Sequence, residues 1–281
     1  MSIRGVLCVS CLTGVGLACA ADVDSQLVPE ERKWFSGGVL GEFATGYLAS
    51  SGSLIDTRPV TSQELDWKVD LGEYGWFDGY GWTISSLHDA QHDLHREVFQ
   101  EFEGAVCYGY LLETSEKTAV KSSVGWLCNP QIGYYDDHAN YWGVLVIQSF
   151  ENPWLTPYYN LLWLTQPKMR GRIRLGVRHA FRLTETISLM PSVEVVWSDY
   201  RRFTAKYGDE PDGFSFLGGG FASERAELKL NWQATKDLAF YVKVQQYMLV
   251  DEKAREAVAA RSEYYARLDH VIGKFGVEYT F

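Results

Sequence analysis

Near the middle of the chain, arginines and apolar residues alternate regularly, and this pattern restricts the folds that the chain can adopt. Residues 168–183 read KMRGRIRLGVRHAFRL, with five arginines at even positions and mostly apolar residues between them. A period of two predicts a β-strand, because a helix would not separate the two sets of side chains so cleanly. The five arginines are Arg170, Arg172, Arg174, Arg178 and Arg182. What surrounds this strand decides which of its two faces is buried.

The first twenty residues have the three parts of a secretory signal peptide. Arg4 supplies positive charge, residues 6–17 are largely apolar, and Ala18-Cys19-Ala20 forms a small-residue cleavage site. We expect cleavage before Ala21. The alternative is a lipoprotein signal that uses Cys19.

The rest of the chain lacks the features of a helical membrane protein or a nucleic-acid-binding protein. No apolar run after the signal peptide approaches the roughly twenty residues of a membrane-spanning helix. The formal net charge is −10, which disfavours binding of nucleic acid through the overall electrostatic field. If the chain crosses a membrane, we expect it to do so with strands.

The C-terminal residues carry a family resemblance. Residues 271–281, VIGKFGVEYTF, alternate like a strand and stop on an aromatic residue. The segment Lys274–Phe281 resembles the C-terminal insertion signal of bacterial outer-membrane β-barrels, with Lys274, Gly276, Tyr279 and Phe281 at its characteristic positions. The resemblance implies a location in the bacterial outer membrane, contact with its lipid, and recognition by the barrel-assembly machinery during insertion.

The remaining alternation predicts an all-β fold, a single antiparallel transmembrane β-barrel of about twelve strands, with ten or fourteen as alternatives. The aromatic residues, with ten tryptophans and seventeen tyrosines, suit girdles at two membrane interfaces. The predicted connections alternate between short and long, except for a short link at Gln166-Pro167. The predicted strands are 39–50, 62–72, 75–87, 95–112, 118–128, 138–150, 154–165, 168–183, 186–199, 220–233, 237–250 and 265–281.

These patterns predict the domain organisation. Residues 1–20 are the signal peptide, 21–38 a periplasmic lead-in, and 39–281 the barrel. The two cysteines of the barrel region, Cys107 and Cys128, lie on neighbouring strands but on opposite faces. Directly paired residues share a face, so we predict two unpaired thiols.

In such a barrel the arginines of residues 168–183 must face the lumen. Turning one toward mid-membrane lipid would cost about 2–4 kcal/mol. Alternate residues of a strand face opposite sides of the barrel wall. By this alternation several carboxylates of the second and fourth strands face the lumen, and so do further polar residues of other strands. The carboxylates are Glu64, Asp66, Asp70, Glu97, Glu101 and Glu103. The further inward residues are Lys68, Glu194, Arg225, Glu227, Lys229, Asn231, Lys243, Gln245, Lys274 and Glu278.

The second and eighth strands lie opposite one another in a ring of twelve. Acidic and basic walls would therefore impose a transverse field on a water-filled lumen. This predicts a porin-like channel for passive diffusion of small polar or charged solutes, with no enzymatic activity and no cofactor. The alternative is that the charges pair and close the lumen of a non-conducting structural or adhesive barrel. Oligomeric state does not follow from these patterns.

A third interpretation concerns the outer loop SLHDAQHDLHREV. It holds His88, Asp89, His92, Asp93 and His95, which are residue types that bind Zn²⁺ or act in hydrolysis. A hydrolase at the outer rim would use them. Because no fourth ligand or partnered aspartate pair is fixed by the spacing, a solvated polar loop is the simpler interpretation and no metal site is predicted.

Overall fold

The computed structural model describes residues 34–48, 54–56, 59–87, 100–129, 141–166, 170–204, 214–253, 255–256 and 269–281. These residues form a closed antiparallel barrel of twelve strands. The strands are β1 (Phe35–Ala44), β2 (Val60–Asp70), β3 (Trp76–Ser86), β4 (Gln100–Ser115), β5 (Thr118–Asn129), β6 (Tyr141–Glu151), β7 (Thr156–Gln166), β8 (Arg170–Arg178, resuming at Phe181–Arg182), β9 (Ile187–Thr204), β10 (Phe214–Gln233), β11 (Leu238–Met248) and β12 (Asp269–Thr280). A two-stranded ribbon, Tyr47–Leu48 with Leu54–Asp56, follows β1.

Pairing between the first and last strands closes the barrel. Each strand pairs with its sequence neighbours, and β12 pairs with β1 in the register Gly41↔Val277. The chain terminus takes part in this seam, because Phe281 N–H donates to Gly37 O at 2.9 Å and Gly37 N–H donates to Phe281 O at 3.2 Å. The C-terminal strand predicted from its alternation is therefore a structural element of the closed ring.

The short turns lie at the end of the barrel where β1 begins and β12 ends. The turn between β2 and β3 is a single 3-10 turn, Gly72–Tyr74, flanked by Gly75. Gly72 and Gly75 have φ of 78° and 88°, which only glycine adopts without strain. Asp70 supports the turn by accepting a hydrogen bond from Gly72 N–H at 2.7 Å. Short periplasmic turns of this kind are typical of outer-membrane barrels.

The outer surface of the barrel is apolar. Leu65, Leu175 and Val242 are 51%, 49% and 53% exposed, and each lies between buried or partly buried neighbours on its strand. Trp34, Phe35, Tyr279 and Phe281 form a chain of aromatic contacts at one end of the β1–β12 seam, the end that holds the short turns. An exposed apolar band with aromatic residues at its edge is the surface that outer-membrane barrels present to lipid. Within the described segments, no helix is both long and apolar enough to span a bilayer.

The prediction of a twelve-stranded all-β barrel is confirmed, and the structure moves some boundaries. β1 begins at Phe35, ahead of the predicted boundary at 39, and ends at Ala44. β9 and β10 run through much of the predicted loop 200–219, with pairs from Tyr200↔Gly218 to Thr204↔Phe214. The glycines 218–220 lie within β10, and backbone pairing continues beyond them toward the tip of the hairpin. The signal peptide falls outside the described residues and stays a prediction.

Candidate solute pathway in the lumen

The barrel interior holds the charged residues singled out by the alternation. Glu64, Asp66 and Glu103 are 2%, 6% and 5% exposed, and Asp70 is half-buried. On β8, Arg174 is 5% exposed, Arg172 and Arg178 are half-buried, and Arg182 is exposed beyond the strand break. Glu97, His88, His92 and His95 lie outside the described residues, as do the side chains of Arg170 and Glu101.

Two arginines and a tyrosine contact one carboxylate on the wall formed by β7 to β10, and a third arginine influences it electrostatically. Glu194 Oε1 lies 3.8 Å from Arg174 Nε and 3.4 Å from Arg225 Nη1. Tyr158 donates its hydroxyl to Glu194 Oε2 at 3.1 Å. Arg172 lies within electrostatic range of this carboxylate and of Glu103. We call Arg172, Arg174, Arg225, Glu194 and Tyr158 the arginine cluster.

A glycine on the intervening strand lets Tyr158 reach Glu194. Gly176 of β8 is the direct partner of Tyr158 on β7 and of Glu194 on β9. A Cβ atom at Gly176 would overlap the Tyr158 ring. The ring therefore lies over the bare backbone of β8, and its hydroxyl contacts a residue two strands away.

The same arrangement recurs across the seam between β12 and β1. Gly276 of β12 is the direct partner of Tyr241 on β11 and of Glu42 on β1. Tyr241 donates to Glu42 Oε2 at 2.6 Å, and Lys274 Nζ donates to Glu42 Oε1 at 2.8 Å. Gly276 and Lys274 were predicted as parts of the insertion signal, and here they also position an interior carboxylate.

Lysines dominate the wall next to Glu42. Lys229, Lys243 and Lys274 lie in one row of direct partners across β10, β11 and β12. Lys243 is fully buried, with Nζ 3.8 Å from Glu42 Oε2 and 3.7 Å from Glu227 Oε2. Lys229 Nζ lies 4.2 Å from the centre of the Tyr241 ring, a cation–π contact. These contacts offset the mutual repulsion of three adjacent ammonium groups.

The carboxylate wall on β2 to β4 is also hydrogen bonded. Glu103 accepts from the Tyr80 hydroxyl at 2.8 Å and from Asn129 Nδ2 at 3.3 Å. Asp78, an interior carboxylate that the alternation did not single out, accepts from Trp76 Nε1 at 3.2 Å. Lys68 Nζ lies 4.7 Å from the centre of the same tryptophan ring. The wall keeps an excess of negative charge.

Apolar side chains also face the interior, which the sequence did not predict. They form one cluster of buried residues, each at most 7% exposed, which we call the apolar cluster. Its members are Ala44, Tyr47, Val60, Tyr80, Trp82, Ile84, Ala105, Cys107, Leu127, Leu145, Leu162, Tyr247, Leu249 and Ile272. Side chains from many strands thus pack together inside the barrel rather than lining a wide aqueous tube.

The two cysteines are free, as predicted. Cys107 is 1% exposed within the apolar cluster, while Cys128 is half-buried. Cys128 pairs directly with Gly104 and Cys107 with Gly125, so the two thiols do not share a cross-strand position.

Comparison with known proteins agrees with the fold. No protein-family model and no curated protein sequence matches this chain. Among solved structures, it is similar to the COG4313 outer membrane channel from Pseudomonas putida F1, with a TM-score of 0.51, 11% identity, and coverage of 90% of this chain and 97% of that one. It is also similar to the KdgM porin and to the NanC porin, each at a TM-score of 0.46 and 10% identity. These alignments cover 88% and 86% of this chain and 99% and 98% of the other chains, respectively.

At these identities the likeness concerns the fold alone. Together with the closed ring of twelve strands and the exposed apolar band, the likeness to the COG4313 channel identifies the fold as that of a bacterial outer-membrane β-barrel.

Proposed function

We propose that the chain is a porin-like channel that lets small polar or charged solutes diffuse passively between an arginine wall and a carboxylate wall. The observation that carries this proposal is the distribution of charge inside the barrel. Arg172, Arg174 and Arg225 lie on β8 and β10, whereas Glu64, Asp66 and Glu103 lie on β2 and β4. Opposed walls of opposite charge are an arrangement that orients polar solutes in a narrow lumen.

The two walls would act on a solute through a transverse field. The arginine cluster contains three guanidinium groups and one carboxylate, so its charge is positive. The wall across from it is negative, and both are shielded from bulk water, where screening is strongest. A polar solute would align its dipole between the two walls. Its passage would be limited by the exchange of its hydration water for contacts with these fixed charged groups.

The packed interior indicates a narrow path. The buried side chains of the apolar cluster and of the charged walls would narrow the path open to a solute. Small unit conductance with pronounced ion selectivity is therefore the expected behaviour.

Single-channel recording in a planar bilayer under a salt gradient tests the proposal. Arg174→Glu should move the reversal potential toward cation preference, because it reverses a buried charge within the arginine cluster. Arg182→Glu is the matched control, since that arginine is exposed beyond the break in β8. Discrete current steps with equal selectivity in wild type and Arg174→Glu would contradict the role of the arginine wall.

One observation favours a second candidate, a non-conducting structural barrel. Glu64, Lys229, Lys243 and Tyr241 are each at most 2% exposed, so the interior resembles a filled core. A protein that is folded and inserted but electrically silent would support this candidate and exclude the channel.

Other roles stay as proposals. We propose that the exposed apolar band contacts outer-membrane lipid and that Lys274–Phe281 directs insertion by the assembly machinery. The loop that holds His88, His92 and His95 lies outside the described residues, so the hydrolase hypothesis has no structural support. Substitution of His92 by alanine tests it through loss of hydrolytic activity.

A further inference from the structure

Six interior side chains form a compact polar surface on two neighbouring strands. They occupy three directly facing pairs of β10 and β11, in consecutive inward rows. We call this surface the β10–β11 patch. It consists of Glu227 with Gln245, Lys229 with Lys243, and Asn231 with Tyr241.

The patch contains buried polar atoms that make no hydrogen bond. They are Glu227 Oε1, Asn231 Oδ1, Lys243 Nζ and Gln245 Oε1. All four atoms are shielded from solvent, although the Asn231 side chain as a whole is only partly buried. Lys243 Nζ lies in two longer ion pairs, but none of the four atoms has a hydrogen-bond partner. Such buried atoms are unfavourable, and native proteins satisfy them with ordered water or with a bound molecule.

The missing partner must both donate and accept. Three of the four atoms are acceptor oxygens and the fourth belongs to an ammonium donor. A hydroxyl group provides one donor and two acceptor positions, so a molecule with several hydroxyls can serve all four atoms. Along β10, Glu227 to Asn231 spans about 13 Å at about 3.3 Å per residue, the length of one or two sugar rings.

The charges around the patch favour an uncharged molecule. An anion would approach Glu227 and Glu42, which already pair with Lys243. A cation would approach the row of Lys229, Lys243 and Lys274. The ammonium and carboxylate groups here already pair with one another. A neutral molecule is repelled neither by the carboxylates nor by the lysines.

We infer that the β10–β11 patch is a binding site for a small neutral polyhydroxylated solute of the monosaccharide or disaccharide class. This inference rests on the proposed function, because it names the class of solute that the lumen takes up. The site lies on the wall between the arginine cluster and the β12–β1 seam, so a solute bound there is still exposed to the field of the arginine wall.

Saturation-transfer difference NMR on the full barrel in detergent micelles tests the site without requiring conduction. The probe is D-glucose, with glucuronate and glucosamine as charged molecules of the same ring size. Wild type should transfer saturation to glucose more strongly than to either charged sugar. Gln245→Met and Asn231→Leu should each weaken glucose binding about tenfold, as expected for loss of a buried hydrogen bond.

Gln148→Met is the matched control. Gln148 lies on β6, where its Nε2 donates to Ser122 at 3.0 Å, outside the patch. Heat-modifiable gel mobility and circular dichroism verify that each variant is folded. Equal transfer in wild type and the patch variants, preference for a charged sugar, or no transfer at all would overturn the inference and indicate that the patch atoms are hydrated only.

Conductance separates this inference from the proposed function. A protein that conducts but does not bind glucose overturns the site and leaves the channel. A silent protein that binds glucose through Gln245 and Asn231 overturns the channel and leaves the site.

Discussion

The hydroxyl of Tyr241 lies 2.6 Å from Glu42 although the whole of β12 runs between their strands. The contact exists because Gly276, the residue between them in the same cross-strand row, has no side chain. The arrangement of Tyr158, Gly176 and Glu194 repeats this geometry on β7 to β9. In both places an aromatic ring covers a glycine and holds a buried carboxylate in the interior.

A methyl group at Gly276 should destabilise the barrel. The Cβ of Gly276→Ala would overlap the Tyr241 ring, so the ring must move and its hydrogen bond to Glu42 is lost. We expect a loss of about 1–3 kcal/mol in the free energy of unfolding, typical of overpacking. Urea titration of protein refolded into lipid vesicles measures this without the assembly machinery.

Gly273→Ala is the matched control on the same strand. A Cβ atom at Gly273 would meet only Thr45, at 3.8 Å, which is ordinary van der Waals contact. The same loss of stability in both variants would mean that strand glycines matter for backbone freedom in general rather than for seating Tyr241.

Whether a residue faces the interior or the outer surface of the barrel could be predicted wherever polar and apolar residues alternate strictly. Residues 168–183 are such a case, and Arg174 is buried in the interior while Leu175 is 49% exposed. In 144–147 and 161–164 both faces are apolar, so alternation could not reveal that Leu145 and Leu162 point inward. The apolar cluster was missed for this reason.

Contacts across strands could not be predicted because they depend on register. That Tyr158, Gly176 and Glu194 share a row follows from how β7, β8 and β9 are aligned. A shift of one residue would turn every side chain of a strand to the other face. Parity therefore predicted that Glu194 faces inward, but not that two arginines and a tyrosine surround it.

Removal of the buried tyrosine hydroxyl at Glu103 should lower stability. Tyr80→Phe leaves this 5% exposed carboxylate without its 2.8 Å donor, although Asn129 still donates at 3.3 Å. The expected loss is about 1–3 kcal/mol in the free energy of unfolding. Tyr110→Phe, at a residue 45% exposed on the same barrel strand as Glu103, should change stability far less; equal effects would show that the Tyr80 hydroxyl is not a significant partner.

Neutralising the carboxylate of the arginine cluster should shift ion selectivity. Glu194→Gln removes the negative charge that lies 3.4 Å from Arg225 and 3.8 Å from Arg174, leaving the cluster more positive. The reversal potential under a salt gradient should move toward anion preference, opposite to Arg174→Glu. Glu185→Gln, in the exposed turn before β9, should leave it unchanged. Equal reversal potentials in Glu194→Gln and wild type would place the ion path away from this wall.

Truncation within the apolar cluster should open the lumen. Leu162 is 4% exposed and is the direct partner of Leu145 on one side and of Arg172 on the other, so it adjoins both the apolar cluster and the arginine cluster. Leu162→Ala should destabilise the barrel by about 2–5 kcal/mol and raise single-channel conductance, because the vacated space admits water beside the arginines. Leu175→Ala, which removes the same atoms from a side chain 49% exposed on the outer surface of the barrel, should leave conductance unchanged. If Leu162→Ala loses stability but conducts no better than wild type, the apolar cluster supports the barrel wall without restricting the path, and the narrowest point must lie among the charged rows.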